Sequence, residues 1–397
     1  GDGRTALRAG VGKYYGSTPL QTKAWSSEQN PWQPATACLG PTIASNPWLG
    51  CTANKFTAPP TPFSSATVEN FVWPNPVPQI YGFDPKFRTA YSYQWNVSLE
   101  REMTKALTVQ VAYVGNSGRD QTAIENINFG TFTPAATLSN VQSRRPNQGY
   151  GRIFIARSRG ESKYNALQTT TTVRLGERLL GRVIYSYQRG STNCNDDPTG
   201  LTGECFANPL NIAGEWGETQ RHHDFRAFYT YNLPILNGNN WYSRLLGGWQ
   251  VSGDVVASSG SPINVIVGSD WNYDGIGGDR PDRAGSIQYP RQDLGNRSWQ
   301  WLSPSGFQQP GGGTNRNTFG NLPRNAVFGP GFWGANAALL KNFRIESRSA
   351  QFRFEAFNVF NHSNLGIPNL NLADPNFGRS FGKSGNRLVQ LGLKFYF

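Results

Sequence analysis

A two-residue alternation of apolar and polar side chains constrains the fold of this chain more than any other feature. Between Tyr91 and Glu100 it separates two faces: Tyr91, Tyr93, Trp95, Val97 and Leu99 on one, and Ser92, Gln94, Asn96, Ser98 and Glu100 on the other. The segments that begin at Leu107, Leu167, Trp249 and Val389 repeat the pattern. Because only an extended strand turns successive side chains to opposite faces, the pattern predicts strands with one apolar and one polar face.

Ten long strands are predicted from this alternation. They run from Thr5 to Tyr15, Ala90 to Glu102, Ala106 to Asn116, Ser162 to Leu175, Leu179 to Arg189, His222 to Asn232, Leu246 to Ser259, Gly334 to Ile345, Ser349 to Phe360 and Asn386 to Phe397. With a mean hydropathy of −0.51, the chain contains no unbroken apolar stretch of about 18 residues, which a membrane helix requires.

The connections between these strands alternate in length. Tight turns lie at Met103 to Lys105, Gly176 to Arg178 and Glu346 to Arg348, with a moderate one at Leu233 to Leu245. Long loops lie at Gly16 to Thr89, Ser117 to Glu161, Gly190 to His222, Gly260 to Trp333 and Asn361 to Gly385. Short turns at one end and long loops at the other are the layout of bacterial outer-membrane barrels. We therefore expect one unit over residues 1–397: an all-β, antiparallel, up-and-down transmembrane barrel segment with long extracellular loops.

One further segment, Arg152 to Arg157, also alternates. Counting it as a spanning strand would break the regular order of turns and loops, so we predict an extracellular hairpin arm there. Aromatic residues near strand ends fit the girdles that barrels place at both membrane boundaries. They include Tyr14, Tyr15, Tyr185, Tyr187, Tyr229, Tyr231 and Phe395.

The formal charge of +12 argues for a polyanionic or membrane-surface neighbour. Lys and Arg are scattered, however, with no run of five, and we predict no nucleic-acid binding. Basic residues that line a lumen, or that contact phosphates of outer-membrane lipid, explain the charge better.

Four cysteines form two local pairs, Cys38 with Cys51 and Cys194 with Cys205, each in a predicted extracellular loop. Four cysteines allow three disulfide connectivities, and local pairing closes the shortest loops. We predict two short-range disulfides in an oxidising compartment. The alternative is four reduced thiols.

The sequence contains no motif of an enzyme active site, so we predict that the chain is not an enzyme. One loop carries candidate metal ligands: Asp270, Asn272 and Asp274 place oxygen atoms at alternating positions and Gly275 is at the sixth, as in a calcium loop. Asp279 or Asp282 could supply the later carboxylate of such a loop. Pro281 occupies the twelfth position, where an EF-hand has its bidentate glutamate. A site for Ca²⁺ and an Asx/Gly-rich turn that binds nothing are both open.

Several segments resemble the C-terminal barrel of TonB-dependent transporters, specifically the Oar-like branch. The motifs are Arg353-Phe-Glu-Ala-Phe-Asn-Val-Phe-Asn361, Arg221-His-His-Asp-Phe225 running to Tyr231-Asn-Leu-Pro234, Leu246-Gly-Gly-Trp-Gln250 followed by Ser259-Gly-Ser-Pro262, and Ser162-Lys-Tyr-Asn-Ala-Leu-Gln168. The terminal Phe397 matches the aromatic C-terminus that the barrel-assembly machinery recognises.

The resemblance implies an outer-membrane receptor that takes up a small or oligomeric extracellular ligand through a plugged barrel of about 22 strands. Gln94, Asn96, Gln390 and Lys394 would line the lumen. A signal peptide, a carboxypeptidase-regulatory-like domain, the plug and the first strands would lie outside these 397 residues, and the TonB complex would act through that missing part.

Two other classes of protein remain open. The first is a passive porin-like or adhesive outer-membrane barrel without energy coupling. The second is a soluble carbohydrate-binding or hydrolytic β-sandwich, which would close its apolar faces on one another in a dry core.

Overall fold

Ten long strands form one continuous sheet in the computed structural model, which describes residues 2–16, 77–194, 205–233, 240, 242, 246–316, 318–345 and 348–397. We label them β1 (Thr5–Tyr15), β2 (Tyr91–Thr104), β3 (Leu107–Asn126), β4 (Tyr150–Leu175), β5 (Leu179–Thr192), β6 (His223–Asn232), β7 (Trp249–Ser258), β8 (Phe332–Ile345), β9 (Arg348–Phe357) and β10 (Leu388–Tyr396). Each pairs antiparallel with its neighbours in chain order. The ten predicted strands and the antiparallel all-β class are confirmed.

The pairing register keeps like side chains on one face across the whole sheet. One cross-strand row contains Leu7, Leu99, Val111, Thr169, Tyr185, Phe225, Ala257 and Trp333. The neighbouring row contains Arg8, Ser98, Ala112, Gln168, Ser186, Asp224 and Ser258. Because a slip of one residue would exchange the faces, this register preserves the predicted apolar and polar sides.

The apolar face of the sheet is open to its surroundings. Val11 is 83% exposed, Leu7 70% and Leu391 66%. Within the described residues, the two clusters of buried hydrophobic side chains lie in or beside the long loops and not on this face. A soluble sandwich would bury such a face against a second sheet, so the sandwich alternative is wrong. The face has the pattern of a surface that lipid covers.

Trp95 shows how closely this outer face is packed. Its indole ring lies across Gly115 of the adjacent strand, and a Cβ atom at that glycine would overlap the ring. A large aromatic residue that covers a cross-strand glycine restores the contacts that the glycine itself cannot make.

β3 and β4 are longer than the sequence predicted. The prediction ended one strand at Asn116 and began the next at Ser162, whereas the structure extends them to 20 and 26 residues. After an irregularity near Asp120, whose φ is 52°, the extensions pair again. A spanning strand needs about 9–11 residues, so both project far beyond the bilayer. Arg152 to Arg157 lies in this projection, so the predicted hairpin arm is confirmed. The arm continues a spanning strand.

A short strand, Val77–Phe83, pairs parallel with β4. It lies in a segment predicted to be a loop, so the strictly up-and-down order does not extend to it. Tyr81 stacks on Phe154 with ring centres 4.8 Å apart, and Arg157 donates to Asp84 at 3.1 Å. Parallel pairing joins segments that are remote in the chain, and local periodicity does not specify it.

The penultimate strand ends earlier than predicted, at Phe357 and not at Phe360. Asn358 and Asn361 adopt positive φ values of 50° and 52°, which asparagine tolerates better than most residues. The Asn358 side chain also accepts a hydrogen bond from the His362 amide at 3.0 Å. Asn358 and Asn361 therefore form the turn at which the chain leaves the sheet.

The described residues contain no helix with the length and apolarity needed to cross a bilayer. Cys38 and Cys51 lie outside the described residues.

A lysine is expected to change stability by different amounts at two neighbouring positions of β3. Val111→Lys, on the apolar face, should lower the free energy of unfolding in lipid vesicles by about 2–4 kcal/mol because it places an ammonium group in hydrocarbon. Gln110→Lys, on the polar face, should cost less than about 1 kcal/mol. Urea titration followed by tryptophan fluorescence measures both values. Equal losses would contradict the assignment of the two faces.

Candidate functional site: the loop assembly and the polar wall

Three of the long loops pack into a single body, which we call the loop assembly. Its core joins the β7–β8 loop to the β9–β10 loop, and the buried members are Ile263, Val265, Leu302, Phe307, Leu322, Val327 and Phe377. Short strand pairs surround it: Pro262–Ile263 with Val327–Phe328, Asp282–Arg283 with Phe307–Gln308, Asn364–Leu365 with Lys383–Ser384, and Ser298–Gln300 between Gln292–Gly295 and Arg379–Phe381. The loops above the polar face are therefore built as an ordered structure.

A buried ion pair attaches the β5–β6 loop to this body. Glu215 is 1% exposed and accepts two hydrogen bonds from the Arg280 guanidinium, at 2.6 and 2.9 Å. Arg324 donates to the backbone carbonyl of Glu215 at 2.7 Å. Arg280 also donates from Nε to the carbonyl of Leu322 at 2.9 Å. The bidentate geometry and the additional bonds satisfy charges that would otherwise be costly to bury.

Sequence reasoning did not identify Glu215, Arg280 or Arg324 as functional residues. Each lies in a loop rich in glycine and asparagine, and in the sequence it looks the same as a solvated charge. The pairing joins positions 65 residues apart, so no local pattern could have indicated it.

The predicted calcium loop forms a compact turn against the hairpin arm. Asp270 accepts hydrogen bonds from the amides of Asp274 and Gly275 at 3.1 and 2.8 Å. Asp279 accepts one from the Trp271 amide at 2.6 Å, and Asn272 one from the Asp274 amide at 3.0 Å. Asn272, Asp274 and Asp279 are almost completely buried. The structure therefore brings all four predicted residues together.

Their oxygen atoms suit Ca²⁺ in chemical type, but backbone N–H groups occupy many of them. In the part of the chain that the structure describes, no three Asp, Glu, His or Cys side chains are grouped as metal ligands. The hydrogen bonds describe a self-supporting Asx turn, and calcium would have to displace some of them. Calcium binding stays a prediction.

The electrostatics of this turn favour protonation of Asp279. Burial raises its pKa to about 7, and the nearby Asp270 carboxylate acts in the same direction. Burial also raises the pKa of Asp270, against the lowering effect of the backbone hydrogen bonds that it accepts.

Contacts with the arm hold the turn in place. The Gly130 amide donates to the carbonyl of Asp274 at 2.7 Å, and the guanidinium of Arg144 donates to the carbonyl of Tyr273. Arg316 lies over the Trp271 ring, 4.2 Å from its centre. The arm and the β7–β8 loop thus form one continuous surface above the sheet.

Cys194 and Cys205 form the predicted disulfide, with Cα atoms 4.7 Å apart. Both are buried beside Ala123 in the projecting part of β3, and the Cys205 amide donates to the carbonyl of Ile124 at 2.9 Å. The disulfide therefore closes part of the β5–β6 loop on itself, and the packing against Ala123 and the Cys205 hydrogen bond attach this loop to the hairpin arm.

The polar wall below the loop assembly has a recess of about 340 Å³ across β5 to β9. Its polar lining includes Thr230, Ser252, Asp254, Asn336 and Glu355. Asn336 donates from its side-chain amide to both carboxylate oxygens of Asp254, at 3.0 and 3.1 Å. The wall therefore offers acceptors and acidic groups on the side away from the aliphatic face.

The four predicted lumen residues lie on this polar side, in two groups. Gln94 and Asn96 are in β2, where Asn96 faces Gly10 of β1. Gln390 and Lys394 are in β10, opposite Glu355 and Gln351 of β9. The two groups are eight strands apart along the sheet and do not form one cluster.

The pH dependence of the Asp270–Asp279 turn provides a test. The folded-state pKa of Asp279 exceeds the reference value of 3.8, so the stabilising effect of protonation is complete below that value and is lost as the pH rises through about 7. We expect amide protection at Trp271 and Ile276 to fall from about pH 4 to about pH 8, measured by hydrogen exchange. Asp279→Asn should remove this dependence, whereas the exposed Asp293→Asn should retain it. A fall that persists in Asp279→Asn would contradict the assignment.

Glu215→Ala should detach the β5–β6 loop from the loop assembly. The buried guanidinium group of Arg280 loses its carboxylate partner, which costs about 3–5 kcal/mol of local stability, whereas Arg324 keeps the backbone carbonyl of Glu215 as its acceptor. Limited proteolysis of the folded protein should then cleave this loop faster. Glu218→Ala is the control, because its side chain is only partly buried and should cost less than about 1 kcal/mol. Equal cleavage rates in the two variants would rule out a special role for Glu215.

Comparisons with known proteins agree with this architecture. A family model described as an outer membrane beta barrel domain matches residues 1–390. No curated protein sequence matches the chain.

Similar solved structures include three outer-membrane proteins. The outer membrane transporter YddB from Escherichia coli has 9% identity and a TM-score of 0.48, over 99% of this chain and 38% of that one. The ferric preacinetobactin receptor BauA from Acinetobacter baumannii has 11% identity and a TM-score of 0.37, over 78% and 30%. The ferric-catecholate import receptor Fiu from E. coli has 9% identity and a TM-score of 0.39, over 98% and 32%. The chain thus spans about a third of the length of these proteins.

The family match covers almost the whole chain and agrees with the ten-stranded sheet and its exposed aliphatic face. A domain of this kind places the protein in the bacterial outer membrane. The chain belongs to the outer membrane beta barrel domain family.

Proposed function

We propose that this chain is part of the barrel of a TonB-dependent outer-membrane receptor of the Oar-like branch, and not an enzyme. The proposal combines the motifs described above with the open sheet. Energised uptake of a small or oligomeric extracellular ligand is the function that this combination supports best.

The observation that carries the proposal is that ten strands do not complete a ring. The sheet runs from β1 to β10, and these two strands do not pair with each other in the described part of the chain. An unpaired strand edge is not tolerated in hydrocarbon, because its N–H and C=O groups have no partners. In the proposed receptor, further strands would cover both edges. A larger barrel encloses a lumen wide enough to need a plug.

The loop assembly supports capture of a ligand at the extracellular mouth. Its loops are held by a hydrophobic core, a buried ion pair and a disulfide. Rigid loops lose less conformational entropy when a ligand binds. Below them, the polar wall, including Gln94, Asn96, Gln390 and Lys394, would face the lumen and the plug.

Two partner contacts and one ion belong to the proposal. TonB would act through the part of the protein outside these residues, and Phe397, 97% exposed beyond the end of β10, would be read by the barrel-assembly machinery. Calcium at Asp270, Asn272, Asp274 and Asp279 would require an ionised Asp279. Added Ca²⁺ should then remove the loss of amide protection near pH 7.

Ion conductance and TonB binding together test the function. The full-length protein is reconstituted into planar bilayers, and its binding to the purified periplasmic domain of TonB is measured by calorimetry. A plugged, energised receptor should show no steady conductance and should bind TonB. A variant that lacks only the plug is the positive control for conductance, since its lumen is open.

Other results would support the rival functions. Steady conductance without TonB binding would indicate a passive porin. The absence of both would indicate an adhesive barrel. Either result would overturn the receptor proposal.

A further inference from the structure

Two exposed basic side chains lie on the outward face of the sheet, beyond its aliphatic band. Lys163 is in β4 and Arg189 in β5, and they alternate in phase with the outward Leu167 and Tyr187. Lys163 pairs with Ser191 and Arg189 with Asn165, so the two basic residues are diagonal neighbours. Such neighbours have Cβ atoms about 7–8 Å apart. Both cations can therefore contact one ligand.

Aromatic groups surround the two cations. The Lys163 ammonium lies 5.0 Å from the centre of the Trp216 ring. Arg189 donates from Nε to the Tyr187 hydroxyl at 3.2 Å. Within the described residues, neither cation has a carboxylate at ion-pair distance. Positive charges that border hydrocarbon without a counter-charge are unfavourable unless an anion lies beside them.

The position of Lys163 and Arg189 in the sheet indicates which kind of anion would lie beside them. Arg189 lies near the long-loop end of β5, and Lys163, its diagonal neighbour, is more than one spanning length of about 9–11 residues from the tight turn after Leu175. Both are therefore at the level where the outer leaflet has its headgroups. Immediately below them on the same face lie Leu167 and, in the next strand, Tyr113. A ligand held here would place its anionic groups against the cations and its acyl chains against the aliphatic band.

A third cation extends the surface. Lys13 of β1 lies in the same cross-strand row as Lys163, through Tyr93 and Ser117. Its ammonium is 4.0 Å from the centre of the Tyr91 ring. Three inter-strand spacings separate the two lysines, about 14 Å. The surface thus presents two separate cationic points to a headgroup.

We propose that Lys163 and Arg189, with Lys13 as a second contact, bind the phosphate groups of a phosphorylated lipid of the outer leaflet. We call this surface the phosphate site. It lies on the outward face, opposite the polar wall, and touches the loop assembly at Trp216. It does not depend on whether the barrel transports a ligand. Its occupant would fix the depth and tilt of this part of the barrel in the membrane.

Native mass spectrometry of the full-length protein in detergent tests the site with lipid A as the probe. We expect diphosphorylated lipid A to remain bound, dephosphorylated lipid A to bind much less, and inorganic phosphate not to compete at matched concentration. The double variant Lys163→Gln/Arg189→Gln should weaken binding of diphosphorylated lipid A by about fivefold per charge removed.

A control pair lies on the same two strands. Arg174 of β4 and Arg182 of β5 point to the polar side, so Arg174→Gln/Arg182→Gln removes equal charge without touching the phosphate site. This variant should bind lipid A as the wild type does. Heat-modifiable mobility in gels shows whether the two variants fold. If one of them does not fold, Lys163→Arg/Arg189→Lys is tested in its place, and it should retain binding because it keeps both charges.

Three results would overturn the proposal. They are equal losses in the two charge-removing variants, no loss in Lys163→Gln/Arg189→Gln, and equal binding of the phosphorylated and dephosphorylated lipids. Competition by inorganic phosphate would indicate that the site binds a free anion and not a lipid, and this result would also overturn the proposal.

Discussion

Backbone pairing in a medium without hydrogen-bonding partners is the constraint on which the rest of this structure depends. Each spanning strand must satisfy its N–H and C=O groups through its neighbours. Nine antiparallel pairings do this for the edges between β1 and β10, and the outer edges of these two strands stay open in the described part of the chain. The register also decides the chemistry of the two faces. It keeps Leu7, Leu99 and Val111 in one outward row and Arg8 and Ser98 in the next. A lipid-facing side and a polar wall follow from the same pairing.

Because lipid covers the outward face, the hydrophobic core lies elsewhere. Buried clusters occur in the loop assembly and beside the disulfide, where water is the solvent and apolar burial is favourable. Water also makes buried charges costly, so Glu215 and Arg280 are paired with bidentate geometry. The strands in the membrane are thus stabilised by backbone pairing and lipid contact, whereas the loops above it are stabilised by apolar burial and paired charges. The proposed phosphate site at Lys163 and Arg189 lies at the boundary between them.

Local patterns were enough to predict most of the sheet. Alternation located all ten strands, and the length of the connections showed which end carries the long loops. The errors came where a strand continues without a change in local pattern or stops for a local reason. The sequence predicts strand ends at Asn116 and Ser162, whereas in the structure pairing resumes beyond the irregularity at Asp120. The sequence predicts that Phe360 lies in a strand, whereas this strand ends at Phe357, where Asn358 adopts a positive φ.

The candidate site was predictable only where its residues are close in the chain. Asp270 and Asp279 form one turn, as their spacing suggested, and Cys194 pairs with Cys205. By itself, the sequence determined the period-two faces and the length of each connection, since both depend on neighbouring residues. Tertiary structure alone decided the Glu215–Arg280 pair, the parallel strand Val77–Phe83 and the diagonal proximity of Lys163 to Arg189. These contacts join segments remote in sequence, and strand register and loop packing place them together in space.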